Sequence, residues 1–476
     1  MTPLGIIIAA VGFIALLKSR RALYRLFLFS IPFSATSVFN VGSENNASGM
    51  QAWMYFGALL LLRELAGWLL NWDTRLPLQL VKRGSFLAGF VLVLTASLLM
   101  PVYINGRLAI ASPFFFDNWS TPLYFSSRNV TSLLYVVFGA LVAFSIARRN
   151  MDGDEALFTE RTYLAAGLLT CALGVAEFST HLLHLPSPTA LFRNNAYLGE
   201  SAQEEIVQQG ILRVTSVAVE PSILVQYLFT VLPLTMPALL RRGKVISRKI
   251  DRLSLYLMVL VVLLSTSSLG YVTLFLLPLV CLPVISKLGI KTGKATAYSI
   301  LSVFVLAGGM GAFYLASPLG RLLLDNVLFS KSSSGSALER MKTITNAWEY
   351  FKSYPILGVG WGSVTSHDLV MRILANSGLL GLGAFLLTLL GIGVPLYRGI
   401  GNSTDRATSL SRATWFLSGA IMILVSSISG FPVVFGHFWF VLGMAIAASA
   451  PSYRGTLRGD DSSAERASNS TRVVLQ

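Results

Sequence analysis

Charge is what this chain has least of. Only 12% of its 476 residues are Asp, Glu, Lys or Arg, about half the share usual in soluble domains, while 54% are hydrophobic and the mean hydropathy is +0.66. Water is therefore not its main solvent. Cysteine is scarce too: Cys171 and Cys281 both lie inside apolar stretches, which excludes a disulfide framework. Four histidines without ligand spacing do not make a zinc cluster, so no metal and no cofactor is expected. Gly358-x-Gly-x-Gly is not preceded by a strand and lacks the phosphate-loop lysine, and no nucleotide motif appears elsewhere.

What is there is a series of apolar runs of about 20 residues, the length a bilayer demands of a helix. They predict an all-α polytopic membrane protein with about 13 spans, near 2–17, 22–40, 52–70, 85–104, 129–147, 162–184, 221–239, 253–268, 270–286, 297–316, 368–397, 413–429 and 432–450. The first run is followed, not preceded, by its basic cluster Lys18, Arg20 and Arg21, so it reads as a retained helix and not a signal peptide. The net charge of +15 suggests nucleic acid only until the charges are placed. With the N-terminus outside, 26 of the 37 basic residues fall in the inward loops and the tail, as the positive-inside rule requires. The charge is topological, and no nucleic-acid partner is expected. The helical domain covers 1–450; the polar tail 451–476 is expected to be disordered and cytoplasmic.

Outward loops 105–128, 185–220 and 317–367 are long, whereas most inward ones are short and basic. Binding and catalytic groups favour loops. Within 317–367, Ser336-Ala-Leu-Glu339 is a capping-box pattern. Leu338, Met341, Ile344, Ala347, Trp348 and Phe351 follow at helical spacing until Pro355, predicting an amphipathic helix on the membrane surface or across the bundle mouth.

Three groups stand out chemically. Arg213 precedes Glu220-Pro221-Ser222, where Pro221 suits a first helical turn and places Glu220 at an outer helix mouth; an interfacial arginine and a helix-starting acid account for the same residues without chemistry. His367 ends the 317–367 loop at an outer helix end, where an imidazole can accept a proton or simply be exposed. Third are the intramembrane charges Arg63, Glu64, Glu177 and Arg372, each costing about 2.5–3.5 kcal/mol at mid-bilayer and so requiring partners. Asp368 and Arg372, four apart, are placed to pair on one helix face. A reaction on the outer face without nucleotide needs a donor already activated, in a membrane a lipid-linked diphosphate, whose oxygens suit guanidinium groups.

The stretch Tyr354-Pro-Ile-Leu-Gly-Val-Gly-Trp-Gly362, then His367-Asp368, nine residues and Gly378-Leu-Leu-Gly381, resembles the signature of the O-antigen ligase and polymerase superfamily. Arg213-x6-Glu220-Pro-Ser222 resembles the motif before the large central span of polysaccharide polymerases of the Wzy type; Ser265-Thr-Ser-Ser-Leu-Gly270 and Arg340 also fit. The likeness covers roughly 200–390. It implies a metal-independent glycosyltransferase of the GT-C type in a bacterial inner membrane, using undecaprenyl-diphosphate-linked oligosaccharide at the periplasmic face, with a chain-length regulator and a flippase as possible partners beside the membrane lipids. It assigns His367 as base and Arg213 and Arg340 as holders of the diphosphate. Glu220 would orient Arg213 or touch the acceptor, and Asp368 and Arg372 would tune the histidine; Asp368 stands where the family more often has Asn, Ser or Gln. The rival within the family is a ligase moving finished glycan to lipid A–core or protein; the rival outside it is a flippase for the same lipid-linked sugar.

Overall fold

The computed structural model describes residues 2–41, 48–70, 78–113, 119–195, 207–208, 211–289, 314–317, 321, 325, 335–403, 405–430 and 432–453. It is mostly helical. In chain order the main helices are α1 (Pro3–Lys18), α2 (Arg20–Ser30), α3 (Ala52–Leu70), α4 (Leu78–Ile104), α5 (Ser127–Arg149), α6 (Gly153–Leu182) and α7 (Pro221–Leu239). There follow α8 (Arg248–Leu264), α9 (Ser268–Lys287), α10 (Gly335–Ser353), α11 (Leu369–Gly399), α12 (Arg406–Ser429) and α13 (Gly436–Ser449). Among the described residues eight of these, α3 to α7, α9, α11 and α12, are long and apolar enough to cross a membrane; α1 and α13 are shorter apolar helices. The chain is thus a multi-pass helical membrane protein by the length and composition of its helices. All but the last three residues of the span expected over 297–316, and most of the tail from 451, lie outside the described residues.

All 14 residues of α13 are buried. Around it Trp53, Trp415, Trp439, Tyr163, Tyr227 and Phe440 form the centre of the core, with α5, α11 and α12 packed against it. Outer helices instead expose large apolar side chains, among them Ile7, Phe13, Leu65, Trp68 and Leu69. A surface of that kind belongs in lipid.

The second expected span, 22–40, is not one helix. α2 stops at Ser30 because Pro32 offers no N–H and disfavours helix in the residue before it. Ser37–Val41 (β1) then pairs antiparallel with Ser48–Gln51 (β2). Two further hairpins, Ala109–Ala111 (β3) with Ser120–Pro122 (β4) and Val207–Gln208 (β5) with Ile211–Leu212 (β6), lie in the connections between helices. The all-α reading is corrected to this extent: these loops pair their own backbone polar groups where no helix does so.

The intramembrane charges have the partners they require. The carboxylate of Glu177, on α6, accepts from Arg193 Nη2 at 2.6 Å, Ser216 N at 2.6 Å and Thr215 N at 3.1 Å. Glu64 accepts from Arg20 Nη2 at 2.8 Å, and Arg63 donates to the carbonyl of Leu16. Each holds two segments together.

Candidate functional site

The site is built on a broken helix. α11 is interrupted at Gly378, whose φ of 64° and ψ of −162° are not helical. The turn 354–364 fills the interruption. Val359 N and Gly360 N donate to the carbonyls of Ala375 and Asn376 at 2.8 and 3.0 Å, while Leu379 N and Leu380 N donate to Pro355 and Ile356 at 2.8 and 3.2 Å. The backbone groups freed by the break are thereby paired with the turn, as a low-dielectric environment demands. Asn376 adds bonds from its side chain to both backbone groups of Val364, at 3.0 and 2.9 Å. A Cβ on Gly378 would stand 2.2 Å from the Ile356 oxygen, and one on Gly358 2.5 Å from that of Ala375. The Tyr354–Gly362 and Gly378 motifs are therefore two halves of one joint, and the joint sets where residues 365–368 emerge.

His367 emerges there, just before Asp368. Asp368 caps α11, its Oδ1 accepting from Met371 N at 2.7 Å. The expected pairing of Asp368 with Arg372 does not form, because the carboxylate is used on the helix's own amide. Beside His367 lies α10. Thr343 Oγ1 gives its one proton to the carbonyl of Arg340 at 2.9 Å and lies 3.1 Å from His367 Nδ1. The hydroxyl must then accept from the ring, so Nδ1 carries the hydrogen and Nε2 keeps its lone pair. Burial holds the His367 pKa down at about 4, helped by the positive charges of Arg340 and Arg372; the ring is neutral at pH 7. Among the described residues no carboxylate pairs with Arg340. Two guanidinium groups thus act on one neutral imidazole.

α10 is the helix expected in the 317–367 loop. Thr343, Ala347 and Tyr350 are buried, whereas Met341 and Trp348 are exposed. Polar tasks explain the choice: Thr343 meets His367, and the Tyr350 hydroxyl accepts from Ala111 N at 2.8 Å. Ala347 and Tyr350 join Ile104, Val359, Val364 and Ala375 in a small second core under the site.

Arg213 and Glu220 reach the same end of the bundle by other elements. Val214 N donates to Leu264 O at 3.3 Å, setting Arg213 beside the tight 265–270 turn, where Ser265, Thr266 and Ser267 are buried. Glu220 precedes Pro221 at the first turn of α7. Further along α7, Gln226 Nε2 donates to Ser429 Oγ at 2.9 Å, and a Cβ on the adjacent Gly430 would lie 3.4 Å from Ser366 O. The exposed Glu220 carboxylate accepts from Ser222 Oγ at 3.0 Å and not from Arg213. The orienting of Arg213 expected of Glu220 is corrected accordingly, because the carboxylate is engaged at its own helix start.

Two residues were missed by sequence reasoning. Thr343 carries no signal beyond its place one turn from Arg340. Arg128 does: it stands in the first turn of α5, where the helix dipole favours acids, and its guanidinium donates to Thr365. With Thr343, Asn346, Tyr350 and Ser363 it lines a cavity of about 30 Å³, room for a water and not for a sugar. His181 and His184 lie at the C-terminal end of α6, and His437 is buried against Phe435. No protein-family model matches this chain, and no curated protein matches it.

Proposed function

We propose that this protein polymerises lipid-diphosphate-linked oligosaccharide repeat units at the His367 end of the bundle, as a metal-independent glycosyltransferase. The observation that carries the reading is a neutral imidazole, its Nε2 free to accept a proton, in the field of two arginines with no carboxylate on Arg340 among the described residues. Such a field favours an anion, and a diphosphate leaving group gains charge as its sugar bond breaks. The acceptor hydroxyl attacks the anomeric carbon, the bond from that carbon to the phosphate oxygen breaks, and Nε2 of His367 takes the hydroxyl proton. Arg340 and Arg372 hold the departing diphosphate, with Arg213 at the same end. The distribution of basic residues supports placing this end away from the basic side of the membrane, and the resemblance implies a periplasmic face of a bacterial inner membrane.

Binding the diphosphate offsets the positive field that holds the histidine down, so the base strengthens when the donor arrives. The ligase reading shares this chemistry; Glu220-Pro-Ser222, which resembles the polymerase motif, favours polymerisation. Transport is less well supported, because Arg63, Glu64 and Glu177 are engaged by partners of the chain itself. Cells lacking the protein test the choice. Surface glycan ending in single repeat units, or loss of a long polysaccharide, is the expected result. Accumulation of long lipid-linked chains would assign a ligase instead.

A further inference from the structure

At the opposite end of the bundle, arginines gather in a way that helix connection alone does not require. α5 carries Arg128 of the candidate site at its start and Arg149 at its end, about 33 Å away for 23 residues. The Arg149 side chain is 7% exposed. Its Nε and Nη2 donate to Glu155 Oε2 at 2.8 and 2.7 Å, its plane covers the Tyr24 ring at 4.3 Å, and its Nη1 is buried without a partner. Arg21 Nε reaches the other oxygen of Glu155 at 3.3 Å. Arg21 and Arg25, four apart on α2, both stand over the Phe158 ring, at 4.6 and 5.2 Å.

Three guanidinium groups are thus gathered here: Arg149 and Arg21 share the Glu155 carboxylate, and Arg25 shares the Phe158 ring with Arg21. Aromatic faces orient the cations without neutralising them. Glu64 offsets only Arg20. The acids of the α5–α6 connection, Asp152 and Asp154, are exposed, and Asp152 is occupied capping α6. Like charges brought this close leave a net positive corner that an oxyanion stabilises, and guanidinium forks match phosphate geometry. We infer that the corner formed by Arg21, Arg25 and Arg149 binds a phosphate oxyanion, supplied by the headgroup of an anionic phospholipid in the leaflet at this end. Basic pockets between helices take such headgroups. The inference is independent of the glycosyltransferase reading, because it concerns the other end of the molecule and is read by binding.

The test titrates dioctanoyl-phosphatidylglycerol into the purified full chain in detergent, with dioctanoyl-phosphatidylcholine and pyrophosphate in parallel. Saturable binding of the glycerol lipid and not of the choline lipid is expected. Arg21→Gln with Arg25→Gln, both exposed and so without demand on folding, weakens it about thirtyfold if each arginine contributes the usual increment at an anionic surface. Lys82→Gln with Lys249→Gln removes the same charge at the same end and leaves binding unchanged. Pyrophosphate bound in place of the lipid, and lost in the arginine pair, supports the site with a soluble source. Equal weakening by both double variants, equal binding of the choline lipid, or no saturable binding of either phosphate probe overturns it.

Discussion

Two polar centres share the His367 end of the bundle, and they are opposites. At Glu177 a buried carboxylate receives Arg193, two backbone amides and the hydroxyls of Thr189 and Thr215. Every group there answers another, and the centre ties Thr189, Arg193, Thr215 and Ser216 to α6. At His367 two arginines meet a neutral ring. By sequence, Glu177 was the more conspicuous, a charge in a hydrophobic span. It is the one with nothing left over for a ligand. A charge closed on its own partners is a joint; cations acting on a neutral ring are where an anionic substrate can add something.

Exchanging lesions between the two centres sharpens this contrast most. His367→Gln should lower polymer formation by about 10²- to 10⁴-fold, the usual share of a general base, with thermal unfolding unchanged. Glu177→Gln should do the reverse, destabilising the protein by about 3–5 kcal/mol as Arg193 loses its buried partner while folded protein keeps its turnover. Loss of activity per folded molecule in the second variant would erase the distinction.

Next in size is the joint that presents His367. Gly378→Ala brings a Cβ against the Ile356 carbonyl in a positive-φ residue, and we expect about 2–4 kcal/mol of destabilisation from overpacking and strain. Gly383, on the same helix, has nothing within 4 Å of a built Cβ; its change to Ala should be neutral or slightly stabilising. Urea or thermal unfolding in one detergent compares them directly.

Thr343→Val removes the acceptor that fixes the His367 tautomer. A loss of about tenfold in kcat is expected, with recovery in Thr343→Ser; equal rates in all three proteins would show that the hydroxyl orients nothing. The smallest effect is on pH dependence. The base must be neutral, so kcat/KM falls only as pH drops through the lowered pKa of His367, near 4 in the free protein. Arg340→Gln removes one of the causes that lower it, and the acid limb should move up by about one unit. Burial, the larger cause, remains, so the limb stays below 6.5. A downward move would contradict the placement of Arg340 near the ring.

Much of this was legible in the sequence, for reasons that also explain the gaps. Hydropathy read the long helices because a bilayer imposes length and apolarity together. It overran at 22–40, since Ile31, Pro32 and Phe33 are apolar while the break is a matter of one missing N–H. The α10 helix was announced by spacing, but its buried face was not. Apolar periodicity marked Met341 and Trp348 as a face for the membrane surface, whereas the buried face is set by the hydrogen bonds of Thr343 and Tyr350. Gly378 and the Tyr354–Gly362 turn were recognisable as a pattern long before their mutual docking gave the pattern a cause. Glu220 stands at the helix start that Pro221 announced, yet no periodicity could show that it would close on Ser222.

The most direct measurement mixes purified protein with a lipid-diphosphate-linked repeat unit and resolves the products by size. A ladder of lengthening chains with release of the lipid diphosphate, abolished by His367→Ala and undiminished by chelators, is the predicted result. Full-length ladders from the His367→Ala protein would contradict the account at its centre.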